Sequence, residues 1–286
     1  MTDKDTLFDY YMKSPLMSHK WKNYFSTYEE LLKSFRGKNI TFVEIGVNNG
    51  GSLFMWREYF GKEAKIIGVD NNPIAKKLEN YGFEIFIGDQ GDKNFWHDFY
   101  NKVGKIDVLL DDGSHMYLDQ IITTSCSVPY IKDGGLIIIE DTHTSFMKSY
   151  GYKFNKNFFD FVKVLIKNIH KRHPYSQLKN SKNQYDQITK ISIYESITAI
   201  HIDSSKNISN ERVLNNKNSL GALDFKFEYK FINKFIKLLD NYELKFLNKK
   251  NRIIYKLILR VIGQSRNFLY FLLNFSQRSK LRNYMS

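Results

Sequence analysis

The sequence contains a single cysteine, Cys126, among 286 residues. This excludes an internal disulfide and any zinc site built from cysteines. The first residues, MTDKDTLFDYY, are polar and acidic and lack the apolar core of a signal peptide. No uninterrupted apolar stretch reaches the about 18 residues that an ordinary transmembrane helix needs. Together these absences predict a protein of a reducing compartment, the cytoplasm.

Acidic residues are missing from the end of the chain, since none follows Glu243. The same segment carries ten cations, at Lys245, Lys249, Lys250, Arg252, Lys256, Arg260, Arg266, Arg278, Lys280 and Arg282. Subtracting these ten from the net charge of +13 leaves +3 for residues 1–243. The basic character therefore belongs to a C-terminal extension and not to the body of the protein.

Apolar residues recur at helical spacing in this extension, which predicts a basic amphipathic helix. Such a helix can lie on an anionic surface, which would place the protein peripherally on the inner face of the cytoplasmic membrane. It can also pack on the body of the protein or on a second copy, as in a homo-oligomer. Nucleic acid is disfavoured because no nucleic-acid-reading motif accompanies the charge.

Strand and helix patterns alternate through the body of the chain. Apolar runs rich in β-formers predict strands at 40–45, 64–69, 83–87, 106–110 and 136–139. Apolar residues at helical spacing predict helices at 21–35, 52–59, 95–103, 118–130 and 155–172. The polar stretch 175–190 predicts a loop. This alternation predicts an α/β fold with a doubly wound, mostly parallel sheet.

Two adjacent carboxylates, Asp111 and Asp112, follow the fourth predicted strand, and a Gly-Ser turn leads on to His115. Open α/β sheets bind ligands at the carboxyl ends of their strands. Adjacent carboxylates repel each other unless a cation or a hydrogen-bond network holds them. A histidine three residues further on can act as a base at the same site. Taken alone, the string DDG is also typical of a surface turn, so the interpretation depends on its neighbours.

The first strand runs into a glycine-rich turn, Gly46 to Ser52, with the spacing G-x-x-x-G-G. This is neither G-x-G-x-x-G nor a P-loop, since no Lys-Ser/Thr follows. Glycines at such a turn let a ligand approach the backbone closely. Asp70 ends the second strand about 20 residues later, where a carboxylate can accept both hydroxyls of a ribose.

Seven strings resemble, in order, the metal-dependent sugar O-methyltransferases of the macrolide-sugar and surface-polysaccharide group, some of which carry the label cephalosporin hydroxylase. The strings are WKNYFSTYEELL, FVEIGVNNGGSLFMWREYFG, AKIIGVDNNP, EIFIGDQGD, IDVLLDDGSH, DGGLIIIEDTHTS and ISIYESITAIHI. They cover roughly residues 15–205, and their common order makes the resemblance specific. The family lies among the class I S-adenosylmethionine-dependent methyltransferases.

The resemblance implies a Rossmann-like domain of the class I methyltransferase type over residues 40–205, with 191–202 as the antiparallel hairpin that closes the sheet. An N-terminal helical segment, 1–39, precedes this domain. A linker, 206–224, and the basic helical extension, 225–286, follow it.

The resemblance also implies the site residues. The S-adenosylmethionine pocket would be formed by Glu44, Gly46, Asn48, Gly50, Ser52, Asp70, Asp89, Gln90 and Asp111. Asp112, Glu140 and Asp141 would hold Mg²⁺ or another divalent cation, since carboxylate oxygens suit a hard cation. The alternative for Glu140 and Asp141 is a solvated turn or helix cap, which would leave the paired acids of the fourth strand unexplained.

The implied reaction is methyl transfer to the hydroxyl of a sugar, a nucleotide-sugar or a glycan, as in bacterial capsule, lipopolysaccharide or glycoside synthesis. The cation would lower the pKa of the hydroxyl, and His115 would remove its proton. His143 is the second candidate base, and His115 could instead only orient the acceptor. Relatives often continue the TS string with a Tyr-Trp pair and a glycine-rich loop, but this chain reads FMKSYG. The alternatives are another small hydroxylated acceptor or a scaffold without turnover.

Overall fold

The computed structural model describes residues 5–151, 156–173, 176, 178 and 181–206, together with the single positions 215, 234, 238, 261, 264, 265 and 268. The chain divides into two units, residues 1–212 and 213–286. Apart from residue 206 and those single positions, the predicted linker and basic extension lie outside the described residues. Among the described helices, none is long and apolar enough to cross a membrane.

The elements follow the predicted alternation. The strands are Thr41–Ile45 (β1), Lys65–Asp70 (β2), Glu84–Ile87 (β3), Ile106–Asp111 (β4), Ile131–Ile139 (β5), Ile188–Ile193 (β6) and Thr198–Ile202 (β7). The α-helices are Leu7–Met12 (α1), Tyr24–Leu32 (α2), Gly51–Phe60 (α3), Lys93–Val103 (α4), Tyr117–Ser127 (α5) and Phe158–His170 (α6). A 3₁₀-helix, Pro73–Tyr81, connects β2 to β3.

The strands form one sheet in the order β3-β2-β1-β4-β5-β7-β6. Neighbours among β1 to β5 are parallel, whereas β7 pairs antiparallel with both β5 and β6. The predicted mostly parallel, doubly wound sheet is therefore confirmed. Since β2 and β4 flank β1 on opposite sides, the strand order reverses at β1, and a crevice opens at such a reversal.

Two stretches differ from the sequence-based expectation. The predicted loop 175–190 is wrong at its end, because β6 begins at Ile188, which is fully buried. Burial in β6 does not follow a clear alternation, since Lys190 and Ile193 are both exposed at this edge of the sheet, which makes the strand hard to recognise. β5 begins before the predicted strand, and its glycines at 134 and 135 lie where its register with β4 shifts.

Each face of the sheet has its own apolar core, because successive side chains of a strand point to opposite faces. Phe42 of β1 packs with Trp56 of α3 and Tyr28 of α2 on one face. Val43 belongs to a second apolar cluster on the other face, together with Phe99 of α4 and Leu165 of α6. A sheet covered on both faces holds the carboxyl ends of its strands in fixed positions.

Candidate active site

A cleft of about 1070 Å³ lies at the carboxyl ends of β1, β2, β4 and β5. Ten of the predicted site residues line it: Gly46, Asn48, Ser52, Asp70, Asp89, Gln90, Asp112, His115, Glu140 and Asp141. The other four, Glu44, Gly50, Asp111 and His143, are not part of its lining. The structure therefore brings most of the predicted residues to one place.

The glycine-rich turn packs directly against the turn that follows β4. Gly46 has a φ of +79°, and a Cβ built on it would lie 2.1 Å from the backbone oxygen of Asp112. The Gly46 N–H donates to the carbonyl of Val69 at 2.8 Å. Only glycine combines this backbone conformation with such a close approach. The turn thereby links the ends of β1, β2 and β4 around the cleft.

The Asp70 carboxylate holds the wall of the cleft in shape. One oxygen accepts the backbone N–H of Asn48 at 3.0 Å, and the other accepts that of Asn72 at 2.8 Å. A carboxylate has about four lone-pair positions, so both oxygens can accept further hydrogen bonds. Asp70 can therefore hold the glycine-rich turn in place and at the same time bind two hydroxyls of a ligand.

The two adjacent acids of β4 have different surroundings. Asp111 is buried and accepts hydrogen bonds from the Gln90 side chain at 3.0 Å and the Gly113 N–H at 3.1 Å. Burial raises the pKa of Asp111 to about 6. The Gln90 carbonyl oxygen in turn accepts the Ser114 N–H at 2.7 Å. Asp111 thus orients Gln90 from behind the cleft wall, and a direct contact of either side chain with a cofactor stays a prediction.

Asp112 faces the cleft and forms a cluster with His115 and Asp141. One potential ligand atom from each residue lies within 4.8 Å of the others. The Nε2 atom of His115 is 4.0 Å from Asp112 Oδ1 and 3.5 Å from Asp141 Oδ2. These spacings allow two carboxylates and an imidazole to share one cation. The sequence-based ligand set instead had Glu140 as its third member.

Glu140 is buried beside a lysine that the sequence analysis missed. The Lys20 ammonium lies 2.9 Å from Glu140 Oε1, 2.6 Å from Asp112 Oδ2 and 3.4 Å from Glu44 Oε1. Burial, with the charge of Asp112 next, raises the pKa of Glu140 well above its usual value. Burial alone would lower the pKa of Lys20, but the three carboxylates outweigh it and raise that pKa.

Two tyrosines of α2 also reach the acids. The Tyr28 hydroxyl donates to Glu140, and the Tyr24 hydroxyl donates to Asp141 Oδ1. In the sequence both read as apolar positions of an amphipathic helix, and their rings do pack in the core. Nothing in that spacing distinguishes a core tyrosine from one whose hydroxyl binds a site residue 112 or 117 positions away.

Three residues that line the cleft have left-handed backbone conformations. The φ angles are +47° at Asn48, +59° at His115 and +52° at Asp141. Among the described residues, one other non-glycine, Ser196, has a positive φ. The Thr144 hydroxyl lies within hydrogen-bond distance of the carbonyls of both His115 and Asp141. Unfavourable conformations held in this way cluster at functional sites, so their position supports this cleft as the site.

The two candidate bases are not equally placed. His115 lines the cleft, and its Nε2 atom points at the acid cluster. His143 does not line the cleft, and its Nδ1 atom is 3.9 Å from Asp141 Oδ1. Since a base must reach the proton that it removes, the geometry favours His115.

No family model matches the sequence, but comparison with known proteins finds O-methyltransferases among its relatives. An 8-demethyl-8-alpha-L-rhamnosyl tetracenomycin-C 2'-O-methyltransferase of Streptomyces olivaceus is 31% identical over 165 residues, 54% of this chain and 43% of the relative. An L-olivosyl-oleandolide 3-O-methyltransferase of Streptomyces antibioticus is 25% identical over 206 residues, 68% of this chain and 50% of the relative. The chain therefore spans half the length of these relatives or less.

Among solved structures, MycE methyltransferase from the mycinamycin biosynthetic pathway, in complex with Mg, SAH and mycinamycin VI, matches with a TM-score of 0.60. The identity is 22%, over 70% of this chain and 53% of that chain. This domain has the class I methyltransferase fold. Its sequence relatives are sugar O-methyltransferases, so the resemblance seen in the seven strings is confirmed.

Proposed function

We propose that this protein transfers the methyl group of S-adenosylmethionine to a sugar hydroxyl with the help of a divalent cation, magnesium. The observation that carries the proposal is the single cleft that joins Asp70 to the cluster of Asp112, His115 and Asp141. Asp70 would bind the ribose of S-adenosylmethionine, and the acid cluster would bind the cation and the sugar hydroxyl. Because both lie in one cleft, the methyl donor and the hydroxyl that receives the methyl group can meet there. The names of the sugar O-methyltransferase relatives support the same reaction.

The donor set fits a hard cation. Asp112 and Asp141 would hold it from the ends of two neighbouring strands, and Glu140, which also lines the cleft, would offer its Oε2 atom. When bound, the cation would lower the pKa of a coordinated hydroxyl and fix its oxygen. The tetrahedral soft-metal alternative needs cysteine ligands, and the one cysteine, Cys126, lies on α5 outside the cleft lining.

The residues of the chain would complete the transfer. The acceptor oxygen would attack the methyl carbon as the carbon–sulfur bond breaks, and Nε2 of His115 would take up the hydroxyl proton. Asp141 Oδ2, 3.5 Å from that nitrogen, would stabilise the resulting imidazolium. The thioether product is neutral at sulfur, so the positive charge moves from the donor to the histidine.

Methyl transfer is tested with S-adenosylmethionine carrying a labelled methyl group and a panel of nucleotide-sugars, free sugars and glycans. We expect one labelled methyl ether per acceptor, detected by mass spectrometry, and no product when a chelator removes divalent cations. Excess magnesium should restore product. Cofactor binding with transfer only to non-sugar hydroxyl compounds would favour the alternative acceptor, and the absence of cofactor binding would favour the scaffold.

Asp70 provides a separate test of the cofactor pocket. Replacing Asp70 by alanine should weaken S-adenosylmethionine binding by about 2–3 kcal/mol, because the ribose loses two charge-assisted hydrogen bonds. Calorimetry on the folded variant measures the change. Asp98→Ala, at an exposed position of α4, is the control and should bind normally. Unchanged affinity in Asp70→Ala would remove Asp70 from the cofactor site.

The biological acceptor and location are also proposals. We infer a role in bacterial surface-glycan synthesis, in the cytoplasm, with the basic extension binding the anionic inner face of the membrane. Removing residues 244–286 should then abolish co-sedimentation with anionic vesicles, since each cation near such a surface contributes about 1 kcal/mol. High salt should have the same effect on the full chain. Equal sedimentation of both forms would contradict membrane binding and favour packing on the protein.

A further inference from the structure

The ammonium of Lys20 is buried in the wall of the cleft, and the proposed reaction does not use it. Lys20 precedes α2, and its side chain is 1% exposed. Its Nζ atom contacts carboxylates from the ends of three different strands: Glu44 of β1, Asp112 at the end of β4 and Glu140 after β5. Three oxygens that converge on one positive centre are the surroundings that proteins give to a bound cation.

Asp112 is shared between this ammonium and the cluster described above. Its Oδ2 atom is 2.6 Å from Lys20 Nζ, whereas its Oδ1 atom is the one nearest His115 Nε2. The carboxylates therefore form two adjoining cation positions. We call them the inner position, formed by Glu44, Asp112 and Glu140 around Lys20 Nζ, and the outer position, formed by Asp112 and Asp141 beside His115.

We propose that Lys20 is a built-in cation that permanently fills the inner position, so that a single divalent cation is confined to the outer position beside His115. Lys20 is then a positioning residue of the site. The proposal rests on the proposed function only for the cation at the outer position. Its claim about the inner position concerns residues of this chain alone.

Charge explains why the inner position needs a cation at all times. Glu44 and Glu140 are fully buried, and unpaired buried carboxylates are very costly. Lys20 supplies them with a positive charge at any magnesium concentration, and its ammonium is a compact point charge with three donors for three oxygens. A divalent ion in the inner position as well as the outer one would create a two-metal site, which is a different catalytic arrangement.

The segment that carries Lys20 is itself fixed in place. The Ser14 hydroxyl donates to the Gly51 carbonyl at 2.8 Å, and the Gly51 N–H donates to the Met17 carbonyl at 3.3 Å. The Tyr11 hydroxyl donates to the Ser18 carbonyl at 2.7 Å. These bonds hold the residues before Lys20 against α1 and the start of α3, and α2 begins four residues after it.

Two variants separate the charge of Lys20 from its volume. Lys20→Ala removes the charge and leaves space beside the three carboxylates, whereas Lys20→Met removes the charge and fills that space. The probe is Mn²⁺, with the free ion counted by electron paramagnetic resonance during titration. We expect one bound Mn²⁺ per wild-type chain, two per Lys20→Ala chain and one per Lys20→Met chain.

The increase on Lys20→Ala decides the inference. An alanine variant that binds no more Mn²⁺ than the wild type would overturn it, since the carboxylates would then have taken up protons instead of a cation. Two bound ions in Lys20→Met would overturn it as well, because the second ion would then bind although the methionine side chain fills the inner position. If the wild type binds no Mn²⁺, the cation of the proposed function fails, but an increase of one on Lys20→Ala still supports the inner position.

Folding is part of the same test. Without a cation, Lys20→Ala has uncompensated buried acids, so we expect a melting temperature that rises with Mn²⁺ far more than that of the wild type or Lys20→Met. The double variant Lys20→Ala/Glu140→Gln removes one of the three negative charges of the inner position. It should still bind the extra ion, but more weakly than Lys20→Ala. Alanine variants that stay unfolded in Mn²⁺ while Lys20→Met folds would overturn the inference, because a fitting cation would have restored them.

Discussion

Asp141→Asn should abolish methyl transfer while the protein still folds and binds S-adenosylmethionine. The Asp141 carboxylate is one of the two acids of the outer position, and asparagine removes its charge while keeping an oxygen that can accept the Tyr24 hydrogen bond. Cation activation of an oxygen contributes several kcal/mol, and each 1.36 kcal/mol is tenfold in rate. We therefore expect turnover to fall about 1000-fold or more.

Labelled-methyl transfer measures the rate of this variant, and calorimetry measures its cofactor affinity. Asp112→Asn should have the same effect on turnover, since Asp112 supplies the other acid of the cluster. Asp98→Asn, on the exposed face of α4, is the matched control and should behave like the wild type. Full turnover in Asp141→Asn, or in the wild type with a chelator, would show that these carboxylates do not form a metal site.

The cleft could be predicted from the sequence because its residues follow strands. Asp70, Asp112 and Asp141 come within two residues of the ends of apolar runs, and parallel strands place such residues at one edge of the sheet. The sequence pattern could not predict Lys20, whose partners Asp112 and Glu140 are 92 and 120 positions away. A polar lysine before a helix carries no local sign that its ammonium is buried, because only tertiary packing brings the acids to it.

The local sequence pattern also could not predict that Asp111 and Asp112 have different roles. Both follow the same apolar run, but the alternation of side chains along β4 turns Asp111 toward Gln90 and leaves Asp112 at the cleft. One acid therefore shapes the wall and the other faces the ligand space. The sequence predicts that a pair of acids ends this strand, and only the register of the strand assigns a task to each.

His115→Gln should lower turnover about 100- to 10,000-fold, the range for losing a general base. Nε2 of His115 faces both acids of the cluster, and glutamine retains a polar side chain but cannot take up the proton. His143→Gln is the control at the second candidate, which does not line the cleft. Its rate should change much less.

The cause of the loss is resolved by measuring Mn²⁺ and cofactor binding together with the rate. A base variant should retain both affinities and lose only the transfer step, because its cation ligands Asp112 and Asp141 are intact. A His115→Gln protein that also loses Mn²⁺ would instead make the imidazole a ligand of the outer position. In that case the base would have to lie elsewhere, and a large loss in His143→Gln would assign it to His143, whose Nδ1 atom lies 3.9 Å from the opposite oxygen of Asp141.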